Sequence, residues 1–180
     1  MRVIAGTLGG RRLKAPQGRF TRPTSDRVKE ALFSMLGPLE GATVLDLFAG
    51  TGALGIEALS RGAERAVFVE RDPRAMHVLQ DNLAALDLAP PRAQTHCADV
   101  LATLRSARGR EETYDLLLID PPYAQAEEAG AELSAALPPV LGPGARIVVE
   151  SDRRAPLELG LDVETQRRYG DTLITIHRHT

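Results

Sequence analysis

A chain of 180 residues with 43% hydrophobic and 26% charged side chains is the size of one globular domain with a substantial core, and two independent domains would be cramped in it. Met1 to Gly6 carries no apolar leader segment, no apolar run approaches the ~20 residues of a bilayer span, and the single cysteine, Cys97, excludes an internal disulfide framework; the expectation is a cytoplasmic protein with Cys97 as a small buried side chain. The net charge of −2 hides an asymmetry, because residues 1–30 hold eight Lys or Arg against Asp26 and Glu30 while residues 31–180 are acidic, as suits a basic arm that meets a polyanion on an acidic body.

In chain order, RVIAGTLGGRRLKAP (residues 2–16) reads as two short strands around a glycine-containing turn. TRPTSDRVKEALFSML (residues 21–36) then opens a helix whose apolar face is Val28, Ala31, Leu32, Met35 and Leu36, with Thr24, Ser25 or Asp26 as its cap. Residues 1–40 are thus expected to form a β-hairpin and helix extension that packs on a body of residues 41–180.

Within the body, strands are expected at Thr43–Leu47, Arg65–Val69, Arg92–Cys97, Tyr114–Ile119 and Arg146–Glu150. Helices are expected between them at Ala53–Arg61, Pro73–Asp87, Val100–Ala107 and Glu127–Val140. Asp72-Pro73 is a helix start, with aspartate able to cap and proline at the first helical position. Such alternation implies an α/β doubly wound parallel sheet with right-handed crossovers. The tail differs, since Leu161–Arg167 and Thr172–Arg178 flank Tyr169-Gly170-Asp171 with no helix between them. A seven-stranded, mostly parallel sheet ending in an antiparallel hairpin is the result.

The segment VLDLFAGTGALGIEALSRGA (residues 44–63) is a strand, a tight turn and a helix in which Gly50, Gly52 and Gly55 satisfy G-x-G-x-x-G. Glu70 ends the next strand, where an acid holds the ribose hydroxyls of any adenosine-bearing cofactor, so it does not separate NAD from S-adenosylmethionine. Asp46, four residues before Gly50, would repel a pyrophosphate but not an ammonium, which favours S-adenosylmethionine. Asp99 falls where a loop carboxylate can address an adenine amine. Loop and cap chemistry is the alternative reading of both Asp46 and Asp99.

Asp120-Pro121-Pro122-Tyr123 closes the fourth strand, at the carboxyl end where open α/β sheets bind their ligands. The prolines alone would explain why the strand stops. They do not explain the acid or the aromatic. A ring's exocyclic amine is a weak nucleophile because its lone pair is delocalised; the Asp120 carboxylate and the Pro121 carbonyl can accept its two hydrogens and favour the tetrahedral nitrogen, while Tyr123 stacks on the base. The histidines and Cys97 make no plausible metal set by spacing, and no G-x-S-x-G elbow is present.

These motifs together resemble S-adenosylmethionine-dependent methyltransferases that modify exocyclic amines, and the whole series, from RVIAGTLGGRRLKAP to DLFAGTGALGIEALSRGA, VERD, DPPY and YGDTLITIHR, resembles the bacterial RsmD family. The resemblance implies a Rossmann-like class I methyltransferase that methylates the N2 amine of one guanine in 16S ribosomal RNA, with the partly or fully assembled small subunit as partner and a monomer as the working unit. By the same resemblance Asp46, Phe48, Ala49, Gly50, Gly52, Glu70, Arg71, Asp99, Val100 and Asp120 would bind S-adenosylmethionine. Asp120, Pro121, Pro122 and Tyr123 would be catalytic. Arg11, Arg12 and Lys14 would contact RNA, with Arg22, Thr24 and Arg27 near the cofactor and target base, and no metal would be used. The motifs are shared with DNA adenine methyltransferases and with glutamine methyltransferases of release factors, and a non-catalytic nucleotide- or RNA-binding module is the remaining alternative.

Overall fold

The computed structural model describes residues 1–15, 25–122 and 126–180, with 126–129 described by their backbone. Five helices and seven strands are arranged among them: α1 (Asp26–Leu36), β1 (Thr43–Leu47), α2 (Ala53–Ser60), β2 (Arg65–Glu70), α3 (Pro73–Ala85), β3 (Ala93–Cys97), α4 (Val100–Gly109), β4 (Tyr114–Ile119), α5 (Ala126–Ala136), β5 (Leu141–Asp152), β6 (Val163–Tyr169) and β7 (Thr172–Arg178). All the strands form one sheet in the order β3-β2-β1-β4-β5-β7-β6. β1 to β5 are parallel, and β7 runs antiparallel to both β5 and β6. This is the Rossmann-like α/β sheet with a terminal hairpin that the strand and helix alternation implies.

Strands β1 and β4 are apolar on both faces because both faces are covered, as a parallel sheet between helices requires. On one side Val44, Phe68, Leu118, Val148 and Ile174 pack under α1, α2 and α3. On the other Leu45, Leu47, Leu117, Ile119 and Val149 pack under α4 and α5. Val3 and Leu13 belong to the first of these cores, and so do Val28, Leu32, Phe33 and Leu36 of α1. The N-terminal segment is therefore built into the body, not appended to it.

Local chemistry sets the element ends. Ser25 caps α1 by accepting from Val28 N–H, and Asp72 caps α3 by accepting from Arg74 N–H ahead of Pro73. Pro138 and Pro139 cannot continue a helix, so α5 stops at Ala136 and a short 3-10 turn (Pro138–Val140) replaces the expected run to Val140. β5 starts earlier than expected, at Leu141.

Two expectations are corrected. Residues 2–15 fold back on themselves as expected, with Val3 N–H donating to Arg11 O, Gly10 N–H to Val3 O and Leu13 N–H to Met1 O, but the pairing reaches only one antiparallel bridge, Arg2 to Arg12, and not two full strands. Donors near the turn go to α2. Ile4 and Ala5 N–H both donate to the Glu57 carboxylate (2.7 and 3.0 Å), and Thr7 N–H and Leu8 N–H donate to the carbonyl and hydroxyl of Ser60 (2.8 and 2.9 Å). Gly6 is needed at this approach, since it has φ +80° and a Cβ there would lie 1.8 Å from the Ser60 carbonyl oxygen. The second correction is Cys97, which is exposed and free at the outer end of edge strand β3.

Candidate methyl-transfer site

The turn after β1 is the first part of the site. Phe48 (φ 62°), Gly50 (φ 54°) and Gly52 (φ 80°) all lie in the left-handed region, so the chain coils tightly between β1 and α2. Ala49 N–H donates to Val69 O (2.9 Å), which ties the turn to β2. A Cβ at Gly52 would lie 2.2 Å from Leu79 Cδ1, and one at Gly55 would lie 2.3 Å from Phe68 Cε1 and 2.9 Å from Asp46 Oδ2. These glycines let α2 sit directly on β1 and β2.

Asp46 is buried at the base of that turn, and its Oδ2 accepts from Gly55 N–H (2.9 Å). Burial pushes its carboxyl up to about 7, against the Gly55 hydrogen bond and with a further push from Glu70. Glu70 stands at the end of β2, accepting from Gly50 N–H (2.9 Å) and Asp72 N–H (2.8 Å). Asp99 caps α4, accepting from Ala102 N–H (3.0 Å), so the cap chemistry proposed for it is present. Val100 opens the same helix and is buried, whereas Arg71 is exposed beside Glu70.

Asp120 follows the last residue of β4. Alternation along β1, β4 and β5 puts Asp46, Asp120 and Glu150 on the same side of the sheet as Val44, Leu118 and Val148. Ile119 pairs with Val149, so Asp120 and Glu150 stand one residue further on adjacent strands. Burial pushes the Asp120 carboxyl well above the usual range, helped by the charges of Glu150 and Asp46. Pro121 is buried and Pro122 exposed. Tyr123 lies outside the described residues.

Three buried or half-buried acids on one face at the carboxyl ends of β1, β4 and β5 are a poor anion site and a good cation site. The tight turn supplies a close backbone approach to such a ligand. Among the described residues no group of three or more His, Cys, Asp or Glu is placed to hold a metal ion.

The arm residues divide. Arg11 donates to Ala85 O (2.9 Å), and Lys14 pairs with Asp81 (2.8 Å), both at the C-terminal half of α3. Arg12 and Arg27 are exposed, while Arg22 and Thr24 lie outside the described residues. Not every arm cation faces solvent: Lys29 is fully buried on α1 and donates to Arg2 O, and burial pulls its pKa down.

Two residues escaped sequence reasoning. Glu150 carried a usable signal, being one more acid at the end of an expected strand. Asn82 carried none. It is buried on α3, accepts from Lys14 N–H (2.7 Å) and donates to Thr51 O (3.0 Å) and Lys14 O (3.2 Å), joining the arm to the glycine turn.

Comparison with known proteins places this geometry. The family model described as "Conserved hypothetical protein 95" matches residues 1–178. A Bacillus subtilis protein named "Putative rRNA methyltransferase YlbH" is 41% identical over 99% of this chain and 98% of its own length. The "Ribosomal RNA small subunit methyltransferase D" of Haemophilus influenzae is 37% identical over 87% of this chain and 81% of its own. Among solved structures, a hypothetical protein of Thermus thermophilus superimposes with a TM-score of 0.86 at 31% identity, covering 99% of both chains. An Escherichia coli structure described as "Putative methyltransferase yhhF" gives 0.80 at 31% identity, covering 99% of this chain and 97% of its own. A more distant structure, described as "SMU.776, a putative methyltransferase complexed with SAH", shares the fold at 17% identity with a TM-score of 0.72, covering 88% of this chain and 50% of its own.

Proposed function

We propose, from the premise that this chain belongs to the conserved hypothetical protein 95 family, the RsmD family, that it transfers a methyl group from S-adenosylmethionine to the exocyclic N2 amine of one guanine in 16S ribosomal RNA. The observation that carries the reading is the placement of Asp120 and the buried Pro121 at the end of β4, beside the glycine turn and on the same face as Asp46.

The residues fit the cofactor chemically. S-adenosylmethionine supplies an electrophilic methyl on a cationic sulfur, together with an α-ammonium group. Asp46 and Asp120 would offer carboxylates toward that positive charge, whose approach favours their ionised forms against burial. Glu70 would hold ribose hydroxyls, because each carboxylate oxygen retains a free lone pair beside its bond to Gly50 or Asp72. Phe48, Ala49, Gly50 and Gly52 would line the turn, and Arg71, Asp99 and Val100 would border the adenine end. Asp120 and the Pro121 carbonyl would accept the two amine hydrogens, hold the nitrogen tetrahedral and aim its lone pair at the methyl. Tyr123 would stack on a base already out of its helix.

The exposed Arg12 and Arg27, with Arg11, Lys14, Arg22 and Thr24, would meet the RNA. The ion pair of Lys14 with Asp81 is exposed and weak, so a phosphate can take its place. With no separate RNA-binding domain among the described residues, a preformed ribosomal shape is the substrate, and a single copy of the chain would act on it.

The test is methyl transfer from labelled S-adenosylmethionine to unmodified small subunits, protein-free 16S RNA and duplex DNA, with the product nucleoside identified. N2-methylguanosine from a ribosomal substrate is the expected product. N6-methyladenine in DNA, or no transfer at all, would overturn the assignment.

A further inference from the structure

Strand β6 is the free edge of the sheet opposite β3, and most of its residues are exposed on both faces. β6 runs parallel to β5, so its last residues stand at the same end of the sheet as Asp120. Four arginines gather there: Arg167 and Arg168 on β6, and Arg153 and Arg154 just beyond β5. The acids within this rim are Asp152 and Asp171. Asp152 accepts from the Arg154 N–H (2.8 Å), and Asp171 stands between the Arg153 and Arg154 guanidiniums at 3.6 and 4.0 Å. The rim is thus net positive on a body that is otherwise acidic.

Register fixes where Arg167 lies relative to the site. Arg167 pairs with Ile174, and Ile174 pairs with Glu150, so the three share one face of the sheet. Asp120 is the next residue in that row, on β4. Three strand spacings of ~4.8 Å put Arg167 roughly 14 Å from Asp120 at the same height on the sheet. The arm packs on this same side of the sheet, against α2 and α3, whose strands β1 and β2 lie on the other flank of β4. Cations therefore lie on this side of the sheet to either side of β4.

We propose that Arg153 and Arg167 form a second RNA contact, holding backbone phosphates of the strand that enters the site on the side away from the arm. The inference rests on the RNA reading above and deepens it. Phosphate contacts of this kind set the position of the strand and carry no sequence information, so exposed guanidiniums on a rigid edge are sufficient. The competing account is that charges on an edge strand merely discourage edge-to-edge pairing.

The experiment is the salt dependence of binding to protein-free 16S RNA and to unmodified small subunits for the unaltered protein, an Arg153→Gln/Arg167→Gln variant, the corresponding Lys variant, and Arg11→Gln/Arg12→Gln as the arm control. Melting temperature is recorded for each. Loss of two phosphate contacts reduces the magnitude of the log-log salt slope by about 1.4, and the lysine variant restores it, because a contact with single strands contributes about 0.7. If the glutamine variant melts early, an unrestored slope in a stable lysine variant overturns the proposal. An unchanged slope in the glutamine variant, with a reduced one in the arm control, overturns it and leaves the RNA reading standing. No binding by the unaltered protein, either to the free RNA or to small subunits, removes the RNA reading and this proposal together.

Discussion

The side chain of Asn82 grips both backbone polar groups of Lys14, accepting from its N–H at 2.7 Å and donating to its carbonyl at 3.2 Å. The same amide nitrogen donates to Thr51 O at 3.0 Å, inside the glycine turn. One buried amide therefore joins the N-terminal segment, α3 and the glycine turn.

Removing that amide leaves three backbone groups without their partner. Asn82→Ala is expected to cost about 2–4 kcal/mol, since each lost bond carries ~1 kcal/mol and buried unpaired groups add more. Thermal unfolding should begin roughly 5–15 °C earlier, given the 2–4 °C per kcal/mol usual at this size. An unchanged melting temperature would show that water replaces the amide at no cost.

Gly55→Ala tests the close approach of α2 to the sheet. Its Cβ would meet Phe68 Cε1 at 2.3 Å and Asp46 Oδ2 at 2.9 Å, and neither can retreat inside a packed core. Stability should fall by about 1–3 kcal/mol, and cofactor affinity should fall with it because Asp46 must move. A variant that melts and binds like the parent would contradict the described packing.

Asp46 sets a pH dependence whose sign is fixed. Its folded-state pKa of about 7 lies above its ordinary value of 3.8, so between those values the folded protein holds a proton that the unfolded chain has released. The stability it contributes is complete below about pH 4 and is lost as pH rises through about 7. The raised pKa of Asp120 acts in the same direction. In ligand-free protein the melting temperature of Asp46→Asn, relative to the parent, should rise between pH 5 and 8. A constant difference across that window would place the Asp46 pKa near its ordinary value.

Binding of a cationic cofactor should reverse that protonation. Near pH 6.5, S-adenosylmethionine should release protons on binding, and calorimetry in buffers of different ionisation heat would count them. No buffer dependence would mean that the acids are already ionised in the free protein.

Periodicity and turn chemistry made the sheet legible. Thr43–Leu47, Tyr114–Ile119 and Thr172–Arg178 have the bounds expected of them, because apolar runs and proline or glycine stops are local signals. Asp72 and Ser25 were legible as caps for the same reason. What the sequence hid was tertiary. Residues 2–15 carry a hairpin pattern and fold back accordingly, yet Glu57 and Ser60, more than 50 positions away, take the N–H groups of Ile4, Ala5, Thr7 and Leu8 and hold the turn on α2. Cys97 looked buried from its residue type, whereas its exposure follows from β3 lying at the sheet edge. Asp46, Glu70 and Asp120 could be placed at the carboxyl side of the sheet because each stands at or near the end of an apolar run. Asn82 could not, because no spacing in one sequence announces a contact between residue 82 and residues 14 and 51.

The central claim is that Asp120 acts on the target amine, and it is tested most directly by Asp120→Ala with turnover and cofactor affinity measured on the same preparation. Methyl transfer to small subunits should vanish while S-adenosylmethionine still binds, weakened by the loss of one of the two carboxylates that face its charge but far less than turnover is. Turnover that survives the substitution, or affinity lost together with turnover, would show that the carboxylate does not orient the amine and serves the cofactor or the fold instead.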